Sequence, residues 1–307
     1  LNRISVIDNI ALGDISETNL ATYIGANLGF GKWSFSPSIR LDYFNFEYNN
    51  HLSPLTRSAS RQKSILNPKL NILFDPSDKL QLYLKTGRGF HSNDARVVIA
   101  QSGQKVLPGA FGLDAGFIWE PSPQISINPA FWYLFLDQEF VYVGDEGIVE
   151  PSGRTKRHGL ELSMKYQPLS WFNANLDLSY ASARAIDEVR GSDHIPLAPR
   201  FTLLASFVAR HASGIYGGTK IRHLGDRPAT VDNSILAEGY TVVDLNLGYQ
   251  WKEVNLGLTV QNLLNVAWNE TQFATLSRLS HESSPTEEIH FTPGTPIFIK
   301  GVVQYNF

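Results

Sequence analysis

Cysteine is missing altogether from the 307 residues, and methionine occurs once. The first absence excludes disulfides and thiolate metal sites. It also suits a protein that crosses an oxidising periplasm unfolded. Charge is scarce, at 18% of residues, below the roughly 25% usual in soluble domains. The net charge is -3, with no basic block or stripe, which argues against nucleic acid as a partner. No stretch approaches the ~18 consecutive apolar residues of a membrane-spanning helix, and the mean hydropathy is -0.15. No linker or low-complexity segment divides the chain, so residues 1–307 read as one domain. The sequence opens at Leu1 without a signal peptide, as a mature or a truncated chain would.

What remains is an apolar content of 43%, including 18 Phe, 12 Tyr and 6 Trp, spread with a period of two. Phe172, Ala174, Leu176, Leu178 and Tyr180 alternate with Asn173, Asn175, Asp177 and Ser179. Val254, Leu256, Leu258 and Val260 alternate with Asn255, Gly257, Thr259 and Gln261, and the pattern persists to Val303, Tyr305 and Phe307. Strands with one apolar and one polar face must keep the apolar side dry. A soluble sandwich would do so, but its strands cluster near 5–6 residues. Many segments here run ten residues or more, the ~9–11 residues of a tilted membrane strand. Aromatics gather near strand ends (Phe30 and Trp33; Tyr43, Phe44, Phe46 and Tyr48; Trp171; Tyr249 and Trp251), as interface girdles do. The expected fold is all-β, a transmembrane antiparallel β-barrel in a bacterial outer membrane.

Short turns rich in Gly, Pro, Asp and Ser, such as Asp75 to Asp78 and Pro121 to Pro123, alternate with long polar stretches. The long ones include Asn49 to Gln62, His91 to Pro108 and Trp268 to Pro293. Short connections read as periplasmic and long ones as extracellular. Thirteen strands are predicted from Thr18 onward, with a fourteenth in Ile4 to Leu12. Pro129, inside one strand, demands a bulge or an edge.

Several stretches, taken in order, resemble the C-terminal barrel portion of TonB-dependent outer-membrane receptors. The end is the clearest: Asn262-Leu263-Leu264-Asn265, then Trp268, a long loop, Gly294-Thr295-Pro296, and a last strand closing on Tyr305-Asn306-Phe307. Ile195 to Arg200, Arg154 to Glu161, Asn67-Pro68-Lys69, Gly87 to Phe90 and Glu17 to Tyr23 resemble earlier family segments. The resemblance implies a 22-strand barrel of which these residues supply about fourteen strands, with the plug domain and early strands not among them. A natural short barrel without a plug is the rival. It further implies import of a scarce nutrient such as a ferric siderophore or other metal chelate, and TonB acting through the absent N-terminal plug. Outer-membrane lipids and lipopolysaccharide would surround the barrel. Tyr305 and Phe307 would form the signal read by the outer-membrane assembly machinery. A plugless passive diffusion channel is the alternative function; an outer-membrane enzyme or adhesin is disfavoured because no catalytic constellation is present.

Candidate ligand residues fall in the long loops. His91, Asp94 and Arg96 would line the barrel mouth, where Arg suits an anionic chelate. His281, Glu282, Glu287, Glu288 and His290 combine imidazole and carboxylate, a set suited to a transition metal or to a solvated acidic loop. Arg40, Asp42, Lys69, Lys85, Glu161, Lys165 and Asp177 are expected on the polar face, in inter-strand pairs or facing a plug. No cofactor is expected.

Overall fold

Alternating side chains give the chain one secondary structure, and the computed structural model describes residues 12–52, 58–91, 107–143 and 148–307. The predicted strand Ile4 to Leu12 lies outside them save for its last residue. β1 (Gly13–Gly25) and β2 (Leu28–Phe30) run collinearly against β3 (Trp33–Asn50). They are separated where Pro37 of β3 lacks an N–H to continue the ladder. β4 (Ser58–Ser77), β5 (Leu80–Phe90), β6 (Gly109–Ser122) and β7 (Ile125–Leu136) follow, each antiparallel to the one before. β8 (Glu139–Val143) and β9 (Ile148–Ser152) form a separate hairpin, after which β10 (Thr155–Leu169) pairs with β7. β11 (Phe172–Ala185), β12 (Phe201–Arg210) and β13 (Ile215–Leu224) extend the sheet. β14 (Arg227–Pro228) and β15 (Leu236–Ala237) pair in the next loop. β16 (Tyr240–Trp251) and β17 (Val254–Gln261) precede a hairpin of β18 (Asn269–Ser277) and β19 (Thr286–Pro293); β20 (Phe298–Tyr305) pairs with β17.

The result is a 14-stranded sheet ordered by sequence, with β1 and β20 at its edges. Because β2 only continues β1, thirteen strands lie side by side among the described residues, the number that the alternation from Thr18 predicts. The sheet of described residues is not closed. Two-residue turns join β2 to β3, β4 to β5, β6 to β7, β10 to β11 and β16 to β17 at one end, and every long connection lies at the other. Gly31 takes the left-handed conformation (φ 59°) that the first tight turn requires. The Trp268 to Pro293 stretch differs from its reading as a plain loop. Its residues pair into a hairpin with its own ladder, because β18 and β19 satisfy each other's backbone groups beyond the sheet.

Register assigns the faces. Trp33, Leu41, Leu70, Phe131, Leu160, Leu178, Leu245 and Val303 share one face, and most of these large apolar side chains are exposed. Ser38, Lys69, Gly87, Gly112, Leu134 and Arg157 trace the other across successive strands. An apolar face left in the open has to be covered by something other than this chain. Phe74 stacks on Trp33 at 4.3 Å by the short turns, and Trp119, Tyr249, Trp251 and Tyr305 lie exposed near the same end. Pro129 occupies an interior strand, neither bulge nor edge; the β6–β7 ladder simply skips Phe117 and Ile118, the positions opposite Pro129 and Asn128.

Glycines on the polar face make room for large neighbours. Tyr83 of β5 crosses Gly116 of β6 and donates its hydroxyl to Asn128 Oδ1 of β7 at 3.0 Å. Tyr216 of β13 repeats the device, crossing Gly248 to reach Asn255 Oδ1 at 2.6 Å. A Cβ on Gly116 would meet the Tyr83 hydroxyl at 2.6 Å, whereas one on Gly112 meets nothing within 4 Å. Gly116→Ala should therefore lower stability by roughly 1–3 kcal/mol, while Gly112→Ala raises it by about 0.4–1 kcal/mol through the unfolded chain. Urea unfolding of the detergent-refolded protein, followed by Trp fluorescence, separates the two.

Candidate functional site

The polar face carries the charged residues that alternation assigns to it. Arg40 holds Asp42 at 2.8 Å from two positions along the same strand, and Asn67 of β4 donates to the same carboxylate at 3.4 Å. Asp177 accepts from Ser163 at 2.6 Å across the β10–β11 pair. The expected inter-strand ion pairs are thus partly replaced by contacts along a strand and by neutral donors. Lys85, Asp114, Asn128, Trp132, Glu161 and Ser163 surround a cleft of about 500 Å³ at mid-height. Trp132 lies over Gly159, beside Leu160 and Glu161 of the Arg154 to Glu161 segment.

Near the loop end the same face turns apolar. Phe44, Phe46 and Tyr48 follow Asp42 at alternate positions and are buried, Phe46 completely. Phe44 and Phe46 stack at 5.5 Å, Phe90 meets Phe44 edge-on at 5.5 Å, and Leu107 closes the cluster from the loop after β5. Across the ladder, Lys63 pairs with Phe44 and Arg61 with Phe46, both exposed. Reading these aromatics as an interface girdle holds for Tyr43, which is exposed on the apolar face, and fails for Phe44, Phe46 and Tyr48. Their even numbering, in step with Arg40 and Asp42, was the available signal.

Three of the described loops above are tied to one another. Asn262 and Asn265 both adopt φ 48°. The Asn262 side chain donates to Val266 O at 2.8 Å and Thr295 O at 3.1 Å and accepts from Val266 N at 2.9 Å. Asn265 Oδ1 accepts from Ile297 N at 3.2 Å, and Trp268 Nε1 donates to Thr295 O at 3.0 Å, its ring lying on Gly294. The terminal motif is therefore a clasp closing the base of the β18–β19 hairpin. Arg222 lies over Trp268 at 5.7 Å and reaches Asp244 at 3.2 Å; Asp244 also accepts from Asn262 N. Gln272 of β18 exchanges hydrogen bonds with both backbone groups of Glu238 in the preceding loop. That loop receives the Ile195 to Arg200 segment through Leu197 N to Pro228 O, 2.7 Å, and His194 N to Val231 O, 3.1 Å. Within it, hydroxyls of Thr230 and Ser234 hold the Asp232 carboxyl down at about 2.

The predicted loop ligands are not gathered at one point. His91 leaves β5 at the mouth, its N–H on Pro108 O at 3.1 Å; Asp94 and Arg96 lie outside the described residues. Glu288 and His290 share a face of β19, 3.9 Å apart, with His290 3.0 Å from Ser277 Oγ. Glu287 lies on the opposite face, Glu282 accepts from Leu279 N at 2.7 Å, and His281 is exposed in the turn. No group of three or more potential ligands forms among the described residues. Tyr305 and Phe307 touch edge-to-face at 5.5 Å at the short-turn end.

A family model described as "TonB dependent receptor-like, beta-barrel" matches residues 5–263. Among solved structures, the siderophore receptor PiuA from Acinetobacter baumannii superposes with a TM-score of 0.74 at 14% identity, over 95% of this chain and 44% of that one. The ferric yersiniabactin uptake receptor FyuA from Yersinia pestis gives 0.73 at 14%, over 96% and 46%. The copper transporter OprC gives 0.73 at 15%, over 96% and 48%. At such identities the likeness is one of fold, and this sheet matches the barrel wall of those proteins. The chain spans about half the length of each.

The clasp makes its own prediction. Asn262→Ala leaves three backbone groups without their partner, at a cost of about 1–3 kcal/mol. Amide exchange at the base of the β18–β19 hairpin should accelerate, while β10 and β11 remain as protected as before.

Proposed function

The chain belongs to the TonB-dependent receptor-like β-barrel family, and from that premise we propose that it forms the greater part of the wall of an outer-membrane receptor. Its cargo in this reading is a ferric siderophore or another metal chelate. The observation that carries the cargo class is the mouth patch. Arg61 and Lys63 stand exposed on the polar face, directly across the ladder from the buried aromatic pair Phe46 and Phe44 that fixes this stretch of the wall. Two neighbouring exposed cations suit a bulky anionic chelate. The loops carrying His91, Asp94, Arg96, His281, Glu282, Glu287, Glu288 and His290 surround the same end and serve as the capture surface.

Hydrocarbon tolerates no unpaired backbone, so β1 and β20, the edges of the described sheet, require pairing in the intact barrel. In this reading further strands supply it, and a plug domain within the wall couples to TonB. Lys85, Asp114 and Glu161 then face the plug. Tyr305 and Phe307, at the short-turn end of the last strand, serve the assembly machinery.

The test uses the intact receptor, with ferric tricatecholate and ferric citrate as probes. Arg61→Gln with Lys63→Gln should weaken chelate binding roughly tenfold or more, since charged hydrogen bonds carry about 1.5–3 kcal/mol each. Unaltered affinity for every bound chelate would remove the mouth patch from the account. A steady open conductance of the intact protein in planar bilayers would instead favour a passive channel.

A further inference from the structure

We propose that the polar face carries an inner site for a hydroxycarboxylate group, centred on Lys69 and set below the mouth patch. The site rests on the receptor reading above in one respect, that this face lines the lumen of the intact barrel.

Side chains on this face repeatedly cross a glycine of the next strand to reach a partner. Tyr83 crosses Gly116 and ends on Asn128, and Tyr216 crosses Gly248 and ends on Asn255. Lys69 of β4 crosses Gly87 of β5 in the same way, since a Cβ on Gly87 would meet its Cγ at 2.7 Å. An ammonium brings three donors, yet Lys69 is exposed and meets no acceptor among the described residues. Two residues before it on the same face, Asn67 is 4% exposed. Its Nδ2 donates to Asp42 at 3.4 Å, and its buried Oδ1 has no partner. This stretch of wall therefore lacks one acceptor, for Lys69, and one donor, for Asn67.

The strands beside Lys69 are hollowed out. Gly87, Gly89 and Gly112 share the polar face, and none of them has a positive φ. A Cβ on Gly89 or Gly112 would meet nothing within 4 Å. Neither backbone conformation nor packing within the described chain calls for glycine at those two positions. Glycines inside a strand mark places where a ligand or another backbone comes close. Gly112 also opens onto the cleft at mid-height.

Charge selects the occupant. Lys63 of the mouth patch is six residues up β4, roughly 20 Å from Lys69. Asp42 between them is fully buried and held by Arg40 at 2.8 Å, so it leaves Lys69 its charge. Below, Asp114 follows Gly112 by two residues, and Lys85 across the ladder from it lies over the Tyr83 ring at 4.8 Å. An anion is thus drawn to Lys69 and turned back by the carboxylates of Asp114 and Glu161 beneath. A carboxylate answers Lys69, and a hydroxyl on the adjacent carbon supplies the donor that Asn67 lacks. A hydroxycarboxylate carries both, whether it enters as the arm of a chelate or as a free acid.

The experiment places a single cysteine by Gly112→Cys in the intact receptor, inserted in bilayers, and compares anionic with cationic methanethiosulfonate reagents. One unit charge at contact distance in water is worth about a fivefold change in rate. The anionic reagent should therefore react roughly twenty-five-fold faster than the cationic one, and Lys69→Gln should remove most of that preference. Ser38→Cys, across the ladder from Lys69, is a second reporter if Gly112→Cys fails to fold. Thr202→Cys, on the polar face of β12, should show no response to Lys69→Gln. Citrate should slow the anionic reagent more than tricarballylate, which has the same charge and lacks the hydroxyl. Citrate offered with and without iron distinguishes a chelate arm from a free acid as the occupant. Equal rates for the two reagents, as a plug carboxylate lying on Lys69 would produce, would overturn the site and leave the receptor reading intact. So would no reaction with either reagent, a preference that survives Lys69→Gln, or equal protection by the two acids. Failure of the wild-type protein to insert into any bilayer would overturn both.

Discussion

A backbone in hydrocarbon has no water to bond with, so every N–H and C=O must find a partner within the protein. For a chain without long apolar runs, the available answer is the antiparallel ladder. Strand pairing then imposes the period of two, and the period sorts the side chains into one face for lipid and one for polar contacts. Large apolar residues stand exposed on one side of the sheet while charged residues collect on the other. In a soluble domain that distribution would be inverted, with the apolar side sealed. The glycine–aromatic crossings follow from the same ladder. Side chains crowd on the polar face, and Gly116, Gly159 and Gly248 let Tyr83, Trp132 and Tyr216 lie across a neighbouring strand.

Much of this was legible in the sequence, for local reasons. The tight turns carry their own chemistry, and strand parity is fixed once one apolar residue is placed. Thirteen crossings, the sidedness of the loops and the polar-face positions of Arg40, Asp42, Lys85, Glu161 and Asp177 all follow from those two facts. The terminal motif could be recognised but not explained from sequence. Only the fold brings Asn262, Trp268, Gly294 and Thr295 together, because the hairpin between them returns the chain to its starting point.

What could not be read depended on contacts between distant segments. Phe44, Phe46 and Tyr48 look like girdle residues by composition; Phe44 and Phe46 are instead buried in a cluster with Leu107, Ile65 and Phe90, residues from other parts of the chain. The loop histidines and glutamates suggested a metal by residue type. Strand alternation in β19 instead sends Glu287 away from Glu288 and His290, and Glu282 is spent on a backbone N–H. Composition gives the inventory of a loop, and its ladder decides which members meet. The wall thus offers distinct chemistries by position: cationic at the mouth over a buried aromatic cluster, charged at mid-height on the polar face, and apolar on the opposite face.

The two-faced wall is the central claim, and the absence of cysteine makes it directly testable. Single cysteines introduced in turn from Leu160 to Lys165 of β10, in the protein inserted in bilayers, can be exposed to a charged, water-soluble thiol reagent. The account predicts alternation: reaction at Glu161, Ser163 and Lys165 positions, protection at Leu160, Leu162 and Met164. Uniform reactivity along the strand, or alternation in the opposite phase, would contradict it.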